Sequence, residues 1–161
     1  MKKIWLLLSI CLLFSLNCWY YSFTDESVYS DIEYVYITNF DNKTNEYDIE
    51  VELRNEIVNQ LVGRHLFKIV SERKDAQASI EAIITKIERK AQVYNREEEV
   101  DEYMIELFAD VKFYNLDENK TIWSTTLKGW ATYLPDEDET TAITEARQKL
   151  ADRILEKLSS G

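Results

Sequence analysis

Four basic residues in the middle of the chain form the strongest candidate binding group: Lys86, Arg89, Lys90 and Arg96. The first three fall on a predicted strand, and Arg96 falls in the charged loop that follows it. Ammonium and guanidinium groups held close together can donate charge-assisted hydrogen bonds to a phosphate or a carboxylate. A competing interpretation is that these cations only form ion pairs with the glutamates at 97–99, since surface ion pairs are common and weak. The sequence leaves both interpretations open.

Other residue types that support chemistry are scarce or lack the required spacing. His65 is the one histidine, and its position just after a predicted helix end favours capping or packing. No nucleophile elbow, Walker-type loop or HExxH motif occurs. The acidic runs at 97–99 and 136–139 lack the alternating ligand spacing of an EF-hand loop. We therefore predict no metal site, no cofactor and no catalytic residue, and we expect a binding or assembly protein rather than an enzyme.

The start of the chain has the pattern of a lipoprotein export signal. Two lysines precede an apolar run at residues 4–16, and this run ends at Asn17 and Cys18. In such signals the cations stay in the cytoplasm while the apolar run enters the translocation machinery. We predict a signal peptide at residues 1–17 and acyl or diacylglycerol attachment at Cys18. Cys18 would then be the one cysteine of the mature chain, because Cys11 leaves with the signal.

An uncleaved signal anchor is the alternative for this segment. Aromatic residues at 19–23 extend the apolar character to about twenty positions, the length of a spanning helix. An aromatic belt at the membrane interface would look similar. Ser15 and Asn17 also differ from the leucine and small residue that usually precede a lipidated cysteine.

Length and charge indicate one acidic domain. Removing residues 1–17 would leave 144 residues and change the net charge from −11 to −13, because two lysines are lost. That length suits a single core, and we predict a tether at 18–31 and one domain at 32–161. The acidic surface repels nucleic acid, so no nucleic-acid partner is expected. Any contact with an anion requires a local basic patch.

Alternation of apolar and polar residues predicts five strands. They lie at about 34–40, 66–70, 80–93, 103–113 and 120–133. In the fourth strand, the apolar residues from Ile105 to Phe113 share one face, while Glu106, Asp110 and Lys112 point the other way. Such a pattern is typical of an antiparallel sheet that is covered on one side only.

Two amphipathic helices complete the predicted fold. The first carries its apolar residues four apart at Ile49, Leu53, Ile57 and Leu61. The last carries Ile143, Ala146, Leu150, Ile154 and Leu158 on one face. We expect Gly63 to end the first helix in a left-handed conformation and Asp136 with Glu139 to cap the last. The expected α+β fold is an α/β two-layer sandwich, with two helices on one face of a four-stranded, mostly antiparallel sheet.

Four groups of residues occur in the order and spacing of a known family. They are the aromatic residues after Cys18, the strand and turn at 35–44, the alanine-containing strand at 76–85, and Trp123, Gly129, Ala131 and Tyr133. In these groups the chain resembles the lipopolysaccharide-assembly lipoprotein family, LptE. It departs from the family pattern at Ala82, where a glycine is usual, and in the extra aromatic residue after Cys18.

The resemblance implies a role in the cell envelope. It implies a lipid-anchored protein of the outer membrane, facing the periplasm, that forms the plug and partner of an LptD-type β-barrel. It also implies assistance in the insertion of lipopolysaccharide into the outer leaflet. The basic residues chosen above from the sequence, Lys86, Arg89, Lys90 and Arg96, are our candidate contacts to its phosphates or carboxylates. The alternative is a periplasmic lipoprotein adaptor of another envelope or secretion assembly, because fold alone does not determine function.

Overall fold

The computed structural model describes Tyr29, residues 31–94 and residues 100–160. The predicted signal peptide, Cys18, Arg96 and the glutamates at 97–99 lie outside the described residues. In the part that is described, no helix is long and apolar enough to cross a membrane.

The described chain forms six strands and two α-helices. The strands are β1 (Tyr34–Ile37), β2 (Asp41–Asn42), β3 (Lys68–Val70), β4 (Ala78–Tyr94), β5 (Val100–Asn115) and β6 (Lys120–Tyr133). The helices are α1 (Ile49–Arg64) and α2 (Glu139–Ser160), and a short 3₁₀ turn lies at Arg73–Asp75.

The six strands form one mixed sheet. The strand order is β3-β1-β4-β5-β6, and β2 pairs with β4 beside this path. β1 is parallel to both β3 and β4, whereas β5 is antiparallel to its two neighbours, β4 and β6. The prediction of a four-stranded, mostly antiparallel sheet was therefore wrong in strand number and in direction. A parallel pair needs a crossover, and α1 provides it between β1 and β3.

Both helices cover the same face of the sheet. The first predicted helical stripe is confirmed, because Ile49, Leu53, Ile57 and Leu61 are buried. The second is confirmed for Ala146, Leu150, Ile154 and Leu158, and Ile143 packs against the core while only partly buried. Against these helices lie the buried β5 residues Ile105, Leu107, Ala109, Val111 and Phe113. One core therefore joins the helices to the sheet.

The helix ends differ from the prediction. Gly63 lies inside α1, and His65 is the left-handed residue after the helix, with φ 54° and its N–H donating to Val62 O at 3.3 Å. At α2, the Oδ1 of Asp138 accepts a hydrogen bond from Thr140 N at 2.9 Å. The predicted closing role of Gly63 and the capping role of Asp136 were therefore wrong by two residues each. Ends are the least constrained part of a helical pattern, because neighbouring polar residues can cap equally well.

An aromatic cluster closes one end of the core. The ring of Tyr29 contacts Phe113 edge-on, with centroids 5.1 Å apart, and its hydroxyl accepts a hydrogen bond from Trp123 Nε1 at 2.9 Å. The side chain of Gln77 binds the backbone of the segment between Tyr29 and β1. Its Oε1 accepts a hydrogen bond from Glu33 N at 2.7 Å, and its Nε2 donates one to Asp31 O at 2.8 Å. The core thus includes a residue of the segment predicted as a tether.

Candidate functional site: the open face of the sheet

A β-bulge in β4 decides which face of the sheet each of the predicted basic residues on this strand occupies. Ile84 pairs with Ala109 and Lys86 pairs with Phe108, so Thr85 is an extra residue without a partner in β5. An extra residue reverses which side chains point to each face of the sheet. Before the bulge Ile84 faces the helices, and after it Ile87 does so, paired with buried Leu107.

The reversal places Arg89 on the helix side and both lysines on the other side. Arg89 pairs with buried Ile105, whereas Lys86 and Lys90 pair with Phe108 and Met104 on the face that neither α1 nor α2 covers. We call this second face the open face. The structure therefore brings Lys86 and Lys90 together and separates Arg89 from them.

Arg89 connects the starts of the two helices. Its Nη2 donates to Glu46 Oε1 at 2.7 Å, and its Nε donates to Glu139 Oε1 at 2.7 Å. The hydrogen bond from Arg89 is the main cause that lowers the pKa of Glu139 below its usual value. Tyr133 adds a hydrogen bond from its hydroxyl to Glu139 Oε2 at 3.2 Å. With two carboxylate partners, Arg89 has a structural role in this geometry.

The open face carries a cluster of three lysines and two glutamates. We call Lys86, Glu88, Lys90, Glu106 and Lys128 the lysine–glutamate cluster. Glu88 accepts from Lys86 at 2.6 Å and pairs with Lys90 at 2.8 Å. Glu106 accepts from Lys90 at 2.5 Å and also from Lys128. Adjacent strands supply these residues, since Glu88 pairs with Glu106 in the β4–β5 register and Lys128 is on β6.

The cluster shifts the pKa values of its members in opposite directions. The hydrogen bond from Lys86 is the largest of the effects that lower the pKa of Glu88 to about 2. The hydrogen bond to Glu106 is the largest of those that raise the pKa of Lys90 to about 12. The pKa of Glu106 is also lowered, mainly by the hydrogen bond from Lys128. Glu88 and Glu106 are therefore anionic and Lys90 is cationic at neutral pH. With three lysines and two glutamates, the cluster has a formal charge of +1.

An aromatic ring forms the floor of the cluster. The Lys86 ammonium lies 4.5 Å from the ring centroid of Phe108, and that of Lys128 lies 5.9 Å away. Attraction to the ring face holds both cations over the sheet. The side chain of Glu106 is only 7% exposed, whereas those of Lys86 and Lys90 are each 51% exposed. The lysines therefore keep part of their donor capacity towards solvent.

A shallow depression of ≈ 520 Å³ adjoins the cluster on the open face. Its lining includes Met104, Glu106, Lys128, Trp130 and Thr132. The ring of Trp130 is partly exposed, and Lys149 of α2 lies over it at 4.4 Å. This combination of cations, polar groups and apolar surface suits an anionic ligand that also has an apolar part.

Sequence reasoning found Lys86 and Lys90 but missed Lys128, Glu88 and Glu106. Glu106 and Lys128 lie on β5 and β6, so only the strand register brings them to the lysines of β4. Glu88 lies between Lys86 and Lys90 on the same strand, and alternation along that strand was the signal that could have found it. His65 lies apart from this site, exposed at the end of α1. Within residues 31–94 and 100–160, no group of three His, Cys, Asp or Glu side chains could hold a metal ion.

Comparison with models of known protein families shows to which family the chain belongs. The model of the family described as "LptE: Lipopolysaccharide-assembly" matches residues 32–158. The chain belongs to the LptE family. The resemblance drawn from the sequence is confirmed, and membership places the chain in a non-enzymatic, envelope-associated lipoprotein family.

Solved structures agree on the fold. The rare lipoprotein B of Shewanella oneidensis is 20% identical with a TM-score of 0.54, and the match covers 78% of this chain and 94% of that one. A hypothetical protein of Chlamydia trachomatis is 12% identical with a TM-score of 0.61, covering 80% and 96%. A PelC dodecamer of Paraburkholderia phytofirmans is 12% identical with a TM-score of 0.52, covering 79% and 86%. Among curated proteins, none matches this LptE-family chain significantly.

The residues that carried the resemblance build the fold of this LptE-family chain. Gly129 lies beneath α2, Ala131 is buried, and the ring of Tyr133 stacks on Tyr103 with centroids 5.4 Å apart. In the turn after β2, Asn42 Oδ1 accepts from Thr44 N at 2.8 Å. These residues therefore contribute to the fold rather than to the open face.

Proposed function

We propose that this LptE-family chain is a lipoprotein of the outer membrane that faces the periplasm and is anchored through lipid on Cys18. We further propose that it is the plug and partner of an LptD-type β-barrel and assists insertion of lipopolysaccharide into the outer leaflet. The observation that carries this proposal is the family match over residues 32–158.

The polar character of the open face supports the proposal that the domain lies inside a β-barrel. The interior of a membrane β-barrel is polar, and the open face of this sheet is polar as well. Its charges are arranged in pairs, such as Lys112 with Glu81 at 3.3 Å and Lys90 with Glu106 at 2.5 Å. Paired charges cost much less to enclose than single ones. Both helices pack on the opposite face of the sheet and leave the open face uncovered. The open face can therefore contact a partner.

The lysine–glutamate cluster supports the proposed contact with lipopolysaccharide. Phosphates of that lipid could take the free donors of Lys86 and Lys90, together with those of Lys128, in a region of positive charge on an acidic protein. We expect Arg89 to contribute through the fold, because Glu46 and Glu139 already occupy its guanidinium. A contact by Arg96 stays a prediction.

Co-purification tests the proposed partner. The full chain, tagged at its C-terminus, would be cross-linked in the native membrane and recovered in detergent. Recovery of a large β-barrel supports the proposal. Recovery of a ring-forming or secretion component would instead support a periplasmic adaptor, an alternative favoured by the likeness in fold to the PelC dodecamer.

Metabolic labelling tests the proposed anchor. Cells that express the wild-type chain or Cys18→Ser would be fed a labelled fatty acid. We expect label on the wild type and none on the variant. Label that survives the substitution would contradict attachment at Cys18.

A further inference from the structure

The turn between β5 and β6 contains an acceptor sequence for N-linked glycans. Asn119, Lys120 and Thr121 match Asn-x-Ser/Thr, in which x is any residue except proline. Asp117 lies two residues before the asparagine. An acidic residue at this position belongs to the longer acceptor sequence that bacterial oligosaccharyltransferases commonly require. Because short sequences also match by chance, the surroundings of each group decide whether this one can act as an acceptor.

The three groups that the acceptor sequence requires are accessible. Residues 116–119 form the turn, and Asp117, Asn119 and Thr121 are all exposed. The Oδ1 of Asn119 accepts a hydrogen bond from the hydroxyl of Tyr114. Within the described parts of the chain, nothing accepts a hydrogen bond from Asn119 Nδ2, and nothing binds the Asp117 carboxylate or the Thr121 hydroxyl. The nitrogen that would carry a glycan therefore faces solvent without a partner.

The backbone of the turn suits an asparagine that carries a large group. Asn119 has a φ of 53°, a left-handed conformation that asparagine adopts more readily than most residues with a side chain. The turn keeps its shape through a contact away from the amide, since Asn115 Oδ1 accepts from Glu118 N at 2.8 Å. Changes to a chain are tolerated best at exposed loop tips. A glycan on Asn119 would thus leave both strands in place.

A second Asn-x-Thr sequence in the chain has the opposite surroundings. Asn42 Nδ2 donates to Glu46 O at 2.6 Å and to Glu50 Oε2 at 2.9 Å. The hydroxyl of Thr44 donates to Asn42 Oδ1 at 2.8 Å. The residue two before this asparagine is Phe40, which is not acidic. The chain therefore carries its own control, an acceptor sequence whose amide and hydroxyl are both bound within the fold.

The turn lies at the end of the domain where the described chain begins. Tyr29 lines a depression together with Asn115, Glu118 and Lys120. The proposed lipid site at Cys18 precedes Tyr29 by eleven residues, which span at most about 40 Å. An anchor at Cys18 would thus keep the turn close to the membrane surface. Lipid-linked glycan donors are held at the same surface.

We propose that Asn119 is glycosylated after export by an oligosaccharyltransferase that uses a polyprenyl-diphosphate-linked oligosaccharide. Asn119 Nδ2 forms a bond to C1 of the first sugar, and the bond between C1 and the diphosphate oxygen breaks. The polyprenyl diphosphate leaves with the electron pair of that bond, and the amide gives one proton to a base of the transferase. The inference rests on the proposed function in one respect, the export of the chain, because the transfer takes place outside the cytoplasm.

Mass spectrometry of the chain from native membranes tests the modification. The tagged full chain would be purified in detergent and digested with trypsin, and peptides that contain residue 119 would be compared with peptides that contain residue 42. We expect the mass of an oligosaccharide on peptides of Asn119, at an occupancy at least tenfold above that at Asn42. No glycan on Asn119, or equal occupancy at the two sites, would overturn the inference.

Substitutions in the same cells test the acceptor sequence one group at a time. Asn119→Gln, Thr121→Val and Asp117→Asn should each lower the glycosylated fraction at least tenfold, because they remove the acceptor amide, the hydroxyl and the carboxylate. Thr121→Ser keeps the hydroxyl and should remain glycosylated. Asn42→Gln is the matched control and should leave the fraction unchanged. A wild-type fraction in Thr121→Val would contradict glycosylation through this sequence.

Fatty-acid labelling of the same preparations separates this inference from the proposed function. Label on Cys18 without a glycan on Asn119 would overturn the inference and leave the anchor in place. A glycan without label would support the inference and contradict the anchor alone. The two proposals can therefore fail independently.

Discussion

Gly129 of β6 lies in direct backbone contact with Leu150 of α2. A β-carbon at position 129 would come within 2.5 Å of Leu150 N and within 1.9 Å of Ala146 O. Both contact atoms are backbone, so they cannot move aside as a side chain can. The final helix packs at this depth because residue 129 is a glycine.

We predict that Gly129→Ala destabilises the domain by about 1–3 kcal/mol or more, because α2 must move away from the sheet. Urea denaturation followed by circular dichroism would measure the change. Gly63→Ala is the matched control, since nothing lies within 4 Å of a β-carbon at that helical position. It should leave stability unchanged or raise it by up to about 1 kcal/mol. A harmless Gly129→Ala would contradict the packing described for α2.

We predict that the ion pairs of Glu106 make the stability of the fold sensitive to acid. Its folded pKa lies below its usual value, chiefly because Lys128 and also Lys90 donate to it. The unfolded state then binds the proton more readily, so this contribution to stability is complete above the unfolded pKa of about 4.3. It is lost as the pH falls through the folded pKa. At pH 7, Glu106→Gln should cost about 1–3 kcal/mol, because a charged hydrogen-bond acceptor is lost.

The free energy of unfolding, measured from pH 7 to pH 3, checks this prediction. The Glu106→Gln variant should lose less stability over that range than the wild type does. Glu118→Gln is the control, because Glu118 is exposed and its ion pair to Lys120 is 4.0 Å long. Parallel pH profiles for wild type and Glu106→Gln would show that the cluster does not stabilise the fold.

Arg89 should act on stability rather than on ligand binding. Arg89→Gln removes the contacts to Glu46 and Glu139, and we expect a loss of about 1 kcal/mol, since the guanidinium is 42% exposed. Hydrogen exchange should quicken in the first turn of α2, and the pKa of Glu139 should rise towards its usual value. Arg73→Gln is the control, because the contact of Arg73 with Glu81 is long, at 3.5 Å. Unchanged exchange in Arg89→Gln would contradict the connection between the helix starts.

Tyr29 should couple the segment before β1 to the core. Tyr29→Phe leaves the ring in place and removes the acceptor of the Trp123 indole N–H, at an expected cost of about 1 kcal/mol. Thermal unfolding would measure the loss, and limited proteolysis should cut near residue 31 more readily. Tyr47→Phe, at a residue that is 94% exposed, should have no effect. Equal stabilities would mean that the hydrogen bond contributes nothing in solution.

The regular spacing of apolar residues in the sequence predicted both helices and their buried faces. Residues Ile49 to Leu61 and Ala146 to Leu158 keep one helical face apolar, and burial of that face is what packing requires. The sequence could not show the bulge at Thr85, because threonine is an ordinary strand residue and the extra position is visible only against β5. That one residue decides that Lys86 and Lys90 lie on the open face, whereas alternation along the strand places Arg89 on the opposite face. The strand β2 has only two residues, which is too short to show an alternating pattern in the sequence.

The open face makes a further prediction about lipopolysaccharide. If Lys86 and Lys90 supply donors to its phosphates, the double variant Lys86→Glu with Lys90→Glu should bind purified lipopolysaccharide about tenfold more weakly, because two attractive contacts become repulsive. Surface plasmon resonance at two salt concentrations would measure the affinity and its electrostatic part. Lys74→Glu with Lys120→Glu is the control for net charge, since it changes the charge by the same amount and both lysines are exposed and lie outside the cluster. Arg89→Gln should retain wild-type affinity. An unchanged double variant would exclude this face as the anion contact, whereas a loss confined to Arg89→Gln would move the contact to the helix side.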